Sequence, residues 1–120
     1  MHPANLALRF LLEIAALAGF GMLAYSASAG GWRVVALIAT LGLLMALWGM
    51  FAVPDDPSRS GSAPISVSGK VRLALELVIL LGGATAFYWT GQQLAGFGLA
   101  ALVLLHYALS RKRIAWLLSQ

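Results

Sequence analysis

Cysteine is absent from the chain, which excludes disulfides, thiolate nucleophiles and cysteine-ligated metal or iron–sulfur centres and leaves the redox compartment open. Charge is nearly as scarce. Only 10% of the 120 residues are charged, against about one quarter in soluble domains, and the acids are Glu13, Asp55, Asp56 and Glu76 alone. Proline is confined to Pro3, Pro54, Pro57 and Pro64, so long stretches run without a helix breaker. No nucleophile motif, phosphate loop or nucleotide fingerprint occurs, because Gly19, Gly21, Gly96 and Gly98 lie within apolar segments and do not follow strands. These absences lead to the expectation of a non-enzyme with no catalytic residues, no cofactor and no metal.

What fills the chain is hydrophobic residue, 61% of the total. Water is the wrong solvent for most of it, and the lipid bilayer is its expected partner. The net charge of +4 in a soluble domain would raise the question of nucleic acid. Here the bases mark the edges of apolar segments, and no nucleic-acid partner is expected.

A membrane-spanning helix needs about 20 mostly apolar residues, since lipid offers its backbone no hydrogen bonds. Val34 to Val53 meets this best, uncharged throughout between Arg33 and Pro54. Asn5 to Ser28, Gly69 to Thr90 and Gln93 to Ser110 are the other predicted spans. Tight turns at Ala29 to Gly31 and Gly91 to Gln92 make two hairpins. The Pro, Ser and Gly residues of 54–68 read as a solvated loop, with Asp55-Asp56 as a solvated turn. The expected fold is thus an all-α membrane protein forming one domain over 1–120: repeat 1 at 5–53, the loop at 54–68, repeat 2 at 69–110 and an interfacial tail at 111–120.

Short loops rich in Lys and Arg stay in the cytoplasm. Arg9, Arg59, Lys70, Arg72, Arg111, Lys112 and Arg113 fall on one side and Arg33 on the other, which predicts a multi-pass protein of the bacterial cytoplasmic (inner) membrane with both termini inside. Aromatic residues agree with these borders. Tyr25, Trp32, Tyr88 and Trp89 gather at the outer edge, and Trp48, Phe51 and Trp116 at the inner one. Ile114 to Leu118 is expected to lie along the inner surface. A competing reading, cleavage at Ala27-Ser28-Ala29 as in a signal peptide, is opposed by Glu13 within the apolar run and by the lack of a basic leader before Arg9.

An internal repeat also opposes it. A shift of 63 residues lays Leu8-Arg9-Phe10-Leu11-Leu12-Glu13-Ile14 over Val71-Arg72-Leu73-Ala74-Leu75-Glu76-Leu77, and also pairs Leu17 with Leu80, Gly19 with Gly82 and Tyr25 with Tyr88. Each copy holds two spans, so both enter the membrane in the same direction, as tandem parallel repeats. Small pairs at four-residue spacing, Ala15 and Gly19, Gly42 and Ala46, Gly82 and Ala86, Gly96 and Ala100, are candidates for close helix approach.

Glu13 and Glu76 lie roughly 12 Å inside their helices at 1.5 Å per residue. An ionised carboxylate there costs on the order of 3 kcal/mol unless it is paired. Each has an arginine four residues earlier on the same helix face. With the two helices adjacent, Arg9 is expected to face Glu76 and Arg72 to face Glu13, a four-group cluster that fixes packing, supplies an ion or proton site, or contacts lipid headgroups or a partner. His106 is a possible accessory group, otherwise an interfacial or helix-bonded residue. His2 has no suitably spaced partner.

Leu8-Arg9-Phe10-Leu11-Leu12-Glu13, Trp48-Gly49 with Phe51 and Pro54, and Arg72-Leu73 with Leu75-Glu76 resemble the YrdB-like family of small bacterial membrane proteins, grouped as a domain of unknown function. The resemblance covers about residues 5–108 and implies a four-span inner-membrane protein without an assigned activity. Two functions are carried forward. One is an accessory or assembly module with a buried charge cluster, acting as a homodimer or beside another membrane protein. The other is a small ion-coupled secondary transporter or exporter that dimerises and works through Glu13 and Glu76.

Overall fold

The computed structural model describes residues 3–56 and 64–120. Its helices are α1 (Pro3–Ala27), α2 (Trp32–Met50), α3 (Gly69–Trp89), α4 (Gln93–Leu109) and α5 (Arg111–Leu118). By length and composition, α1, α2 and α3 are each able to cross a membrane. The α4 helix becomes a fourth span only when taken together with α5, which bends away from it by 74°. Its 17 residues sit at the lower end of the length that covers a hydrocarbon core of about 30 Å.

Each hairpin closes where its turn chemistry demands. Gly91 adopts φ +89, a backbone region costly for side chains with a Cβ. There Gln92 N–H reaches the Phe87 carbonyl at 2.9 Å and Gly91 N–H the Tyr88 carbonyl at 3.2 Å, a Schellman ending for α3. In the first hairpin Arg33 Nε donates to the Ser28 carbonyl at 3.0 Å while its guanidinium stacks over Tyr25. Ser68 caps α3, its hydroxyl accepting from Val71 N–H at 3.3 Å.

The α1 and α3 helices pack along each other, with α2 against the outer side of α1 and α4 against α3 and α1. The seam between α1 and α3 depends on absent side chains. A Cβ added to Gly83 would lie 2.5 Å from Ala16 Cα, and one added to Gly19 would lie 2.5 Å from the Gly83 carbonyl oxygen. Gly96 lets α4 close on the backbone of α3 at Ala84 and Tyr88. The predicted small pairs are thus used selectively: Gly19 and Gly96 lie at helix contacts, whereas a Cβ on Gly42 would meet open space. Leu12, Ala16, Leu80, Ala84, Leu99, Val103 and Tyr107 form the core. No residue of α2 is buried, and large apolar side chains such as Ile38, Leu94 and Leu104 face outward.

The segment between the hairpins departs from the expected solvated loop. Phe51–Ala52 and Ile65–Ser66 pair as two short parallel strands, β1 and β2, so backbone polar groups beside the bundle are hydrogen-bonded. Asp55 adopts φ 63 and is exposed, as expected, but Asp56 is only 5% exposed. The tail also departs from expectation. Within the helical tail, α5 folds back onto α3, where Leu117 is fully buried and Gly69 so close that a Cβ would collide with the Leu117 carbonyl.

Candidate functional site

At the end of the bundle opposite the hairpin turns, α1, α3, α4 and α5 converge on one carboxylate. Glu76 is fully buried on α3. Arg72, one turn earlier on the same face, donates from Nε to Glu76 Oε2 at 2.8 Å. Arg9 reaches the same oxygen from α1 at 3.3 Å. Arg113 on α5 grips both oxygens, Nη1 to Oε1 and Nη2 to Oε2, each at 3.0 Å. Tyr107 on α4 completes the shell, its hydroxyl donating to Oε1 at 2.7 Å. Five hydrogen bonds on one carboxylate fill its acceptor capacity.

The surrounding charges are shared outward. Arg113 Nη2 also donates to Asp56 Oδ2 at 2.8 Å, drawing the inter-hairpin segment into the site. Arg72 Nη1 donates to the carbonyls of Trp48 at 2.5 Å and Phe51 at 2.6 Å, satisfying the C-terminal end of α2 with a cation. The Trp48 ring lies against both Arg72 and Arg9, with 4.7 and 5.4 Å from guanidinium carbon to ring centre. Glu13 meets Arg9 Nε at 3.3 Å. Three arginines thus stand with three carboxylates, a formally neutral group, which is what burial away from water demands.

A second polar network lies beside the first. Asn5 Oδ1 is 2.7 Å from His106 Nδ1, Asn5 Nδ2 donates to Ser110 Oγ at 2.6 Å, and Ser110 Oγ donates to the His106 carbonyl at 2.7 Å. This ring ties the start of α1 to the end of α4, and the His106 ring rests edge-on against Tyr107.

Arg9, Arg72, Glu76 and Glu13 therefore come together as the sequence pattern suggests, with one pairing corrected. Arg9 does cross to Glu76, but Arg72 pairs with its own Glu76 and with α2, not with Glu13. The two glutamates occupy different environments: the Glu76 side chain is 0% exposed, the Glu13 side chain 24%. His106 is buried and bound to Asn5, not interfacial. Asp56 and Arg113, expected in a solvated turn and an interfacial triplet, are instead buried partners of each other. Tyr107 and Asn5 also belong to the site without a signal in the linear pattern, and Trp48, expected at the inner border, lies against its arginines. Among the described residues no group of three or more His, Cys, Asp and Glu is placed to hold a metal ion. His2 and Arg59 lie outside the described residues.

No solved structure matches the chain. It is similar to the uncharacterized protein YrdB of Bacillus subtilis (strain 168), 40% identical over 120 residues that cover 100% of this chain and 98% of the relative. The family described as "Protein of unknown function (DUF2568)" matches residues 7–104, which include Arg9, Glu13, Trp48, Arg72 and Glu76 of the charge cluster. With the match extending over most of its length, the chain belongs to the DUF2568 family.

Proposed function

We propose that the chain is a four-span protein of the bacterial cytoplasmic membrane, built of two tandem parallel hairpins with both termini inside. Its role is that of a non-enzymatic accessory or assembly module whose buried charge cluster locks the helices. The observation that carries the reading is the saturation of Glu76 by three arginines and a tyrosine. A carboxylate so held is a fastener. An ion-exchanging group needs a free lone pair and a path, and Glu76 is offered neither.

Membrane residence draws support from the exposed apolar faces of α2 and α4 and from a long axis of 46 Å, comparable to the 40–45 Å of a bilayer with its headgroups. Exposed Tyr25, Trp32, Tyr88 and Trp89 at the hairpin end and the bases at the other end support the orientation. The tandem repeat draws support from the adjacency of α1 and α3, the helices that the 63-residue shift relates.

Proteoliposomes carrying the full chain test the lock. Glu76→Gln is expected to lower the unfolding temperature in detergent without altering cation or proton flux. A Glu76→Gln protein that folds like the parent yet loses a proton-coupled flux the parent carries overturns the reading.

The transporter reading is favoured by one observation, and at Glu13 only: this carboxylate is partly exposed and borders an apolar cavity. Glu13→Gln is then expected to change proton-coupled flux in a dimeric preparation. Unaltered flux across a broad cation screen sinks it.

A further inference from the structure

Between α1 and α2, with Ile79 of α3 at its floor, lies a cavity of about 290 Å³. Its walls are apolar except for one group. Phe10, Ile14, Met45, Trp48 and Gly49 border it, and among the described residues Glu13 supplies the one charged side chain. Phe10, Ile14 and Met45 are 60%, 49% and 61% exposed, so the mouth opens on the outward, lipid-facing surface. A Cβ placed on Gly49 would meet no heavy atom within 4 Å, so the space beside it is open.

Glu13 and Glu76 sit at matched positions of two helices but are used unequally. Glu76 accepts five hydrogen bonds, whereas among the described residues Glu13 has a single ion pair, through Oε1 to Arg9 Nε at 3.3 Å. Arg9 is itself drawn toward Glu76 by Nη2. An ionised carboxylate has about four acceptor positions, and within a leaflet the unfilled ones are costly. Apolar walls around an under-coordinated anion, open to the acyl region, suit one chemical class: an ammonium group carried on a hydrophobic chain. The ammonium supplies three donors and a positive charge, and the chain lies along Phe10, Ile14 and Met45.

We infer that the Glu13 cavity is a binding site for an amphiphilic amine, taken either from an aminophospholipid headgroup or from a free long-chain amine. This rests on the membrane reading above. The site lies at the α1–α2 side of the cluster, with Arg9 shared between Glu13 and the saturated Glu76.

The test uses the full-length chain in nanodiscs and native mass spectrometry of the released protein. One set of discs holds equal phosphatidylethanolamine and phosphatidylglycerol; a second holds phosphatidylglycerol alone and is titrated with dodecylamine. The parent chain is expected to retain one amine at about tenfold over phosphatidylglycerol, and Glu13→Gln and Gly49→Leu each to abolish that preference. Gly49→Leu fills the cavity while leaving every cluster residue in place, so it decides the matter if Glu13→Gln does not fold. Retention of phosphatidylethanolamine alone identifies the headgroup as source, and of dodecylamine alone the free amphiphile; either supports the site. Equal retention of amine and phosphatidylglycerol by the parent, or undiminished preference in Gly49→Leu, overturns it. Failure of the chain to enter discs at all speaks against the membrane reading and is visible before any lipid is counted.

Discussion

At the scale of single residues, neighbours in sequence have opposite fates. Arg113 is buried between Glu76 and Asp56, while Arg111 and Lys112 are exposed. Arg113→Ala leaves two buried carboxylates short of a donor, and removing one partner of a buried ion pair costs about 3–5 kcal/mol. Detergent unfolding of Arg113→Ala beside Arg111→Ala is expected to show a large loss for the first and no resolvable change for the second. Exchange of charge within a pair is predicted to fail as well. In an Arg9→Glu, Glu76→Arg double variant the new arginine would stand among Arg72 and Arg113, so it is expected to unfold more readily than the parent in the same assay. In the neighbouring network, Asn5→Leu takes one hydrogen-bond partner from each of His106 and Ser110, while Ser110 keeps its bond to the His106 carbonyl, and leaving a buried polar group short of a partner costs about 1–3 kcal/mol. A smaller drop in unfolding temperature than for Arg113→Ala is the expected result.

Among the helices, the deciding feature is how near two backbones approach. Gly83 against Ala16 sets the distance between α1 and α3, and that distance brings Arg9 within reach of Glu76. Gly83→Val is expected to push α1 away, with an overpacking cost of about 1–3 kcal/mol. A cysteine pair placed across the seam in the otherwise cysteine-free chain should then lose its oxidative crosslink. Gly69 plays the same part for α5. Four-residue spacing of small side chains marks both Gly42 and Gly96 as candidates, yet only Gly96 meets a helix. Spacing alone does not say which face of a helix meets another helix and which faces outward, because apolar side chains line both.

For the whole molecule, orientation is the testable property, and the lack of native cysteine makes the measurement simple. Single cysteines at Gly31 and Ser119 sit at opposite ends of the bundle. In intact cells an impermeant maleimide is expected to label Gly31→Cys, and to label Ser119→Cys only after permeabilisation. The reverse pattern would invert the proposed topology.

The linear pattern was enough for the four long helices, their hairpin turns and the meeting of Arg9 with Glu76 near one end, but not for α5 or for the partners of Arg72. Each follows from local rules: apolar length, turn-forming glycine and charges one helical turn apart. It was blind to the inclusion of Asp56, Tyr107 and Arg113, whose distances in sequence from Glu76 are 20, 31 and 37 residues. Only the parallel strand pair, the packing of α4 on α3 and the 74° bend before α5 bring them there. The inequality of the two glutamates belongs to the tertiary structure for the same reason. Their local sequences are nearly alike, but α4 and α5 cover Glu76 and leave Glu13 beside an open cavity. A charge in an apolar medium takes its role from whatever partners the fold delivers to it, and those partners come from elsewhere in the chain.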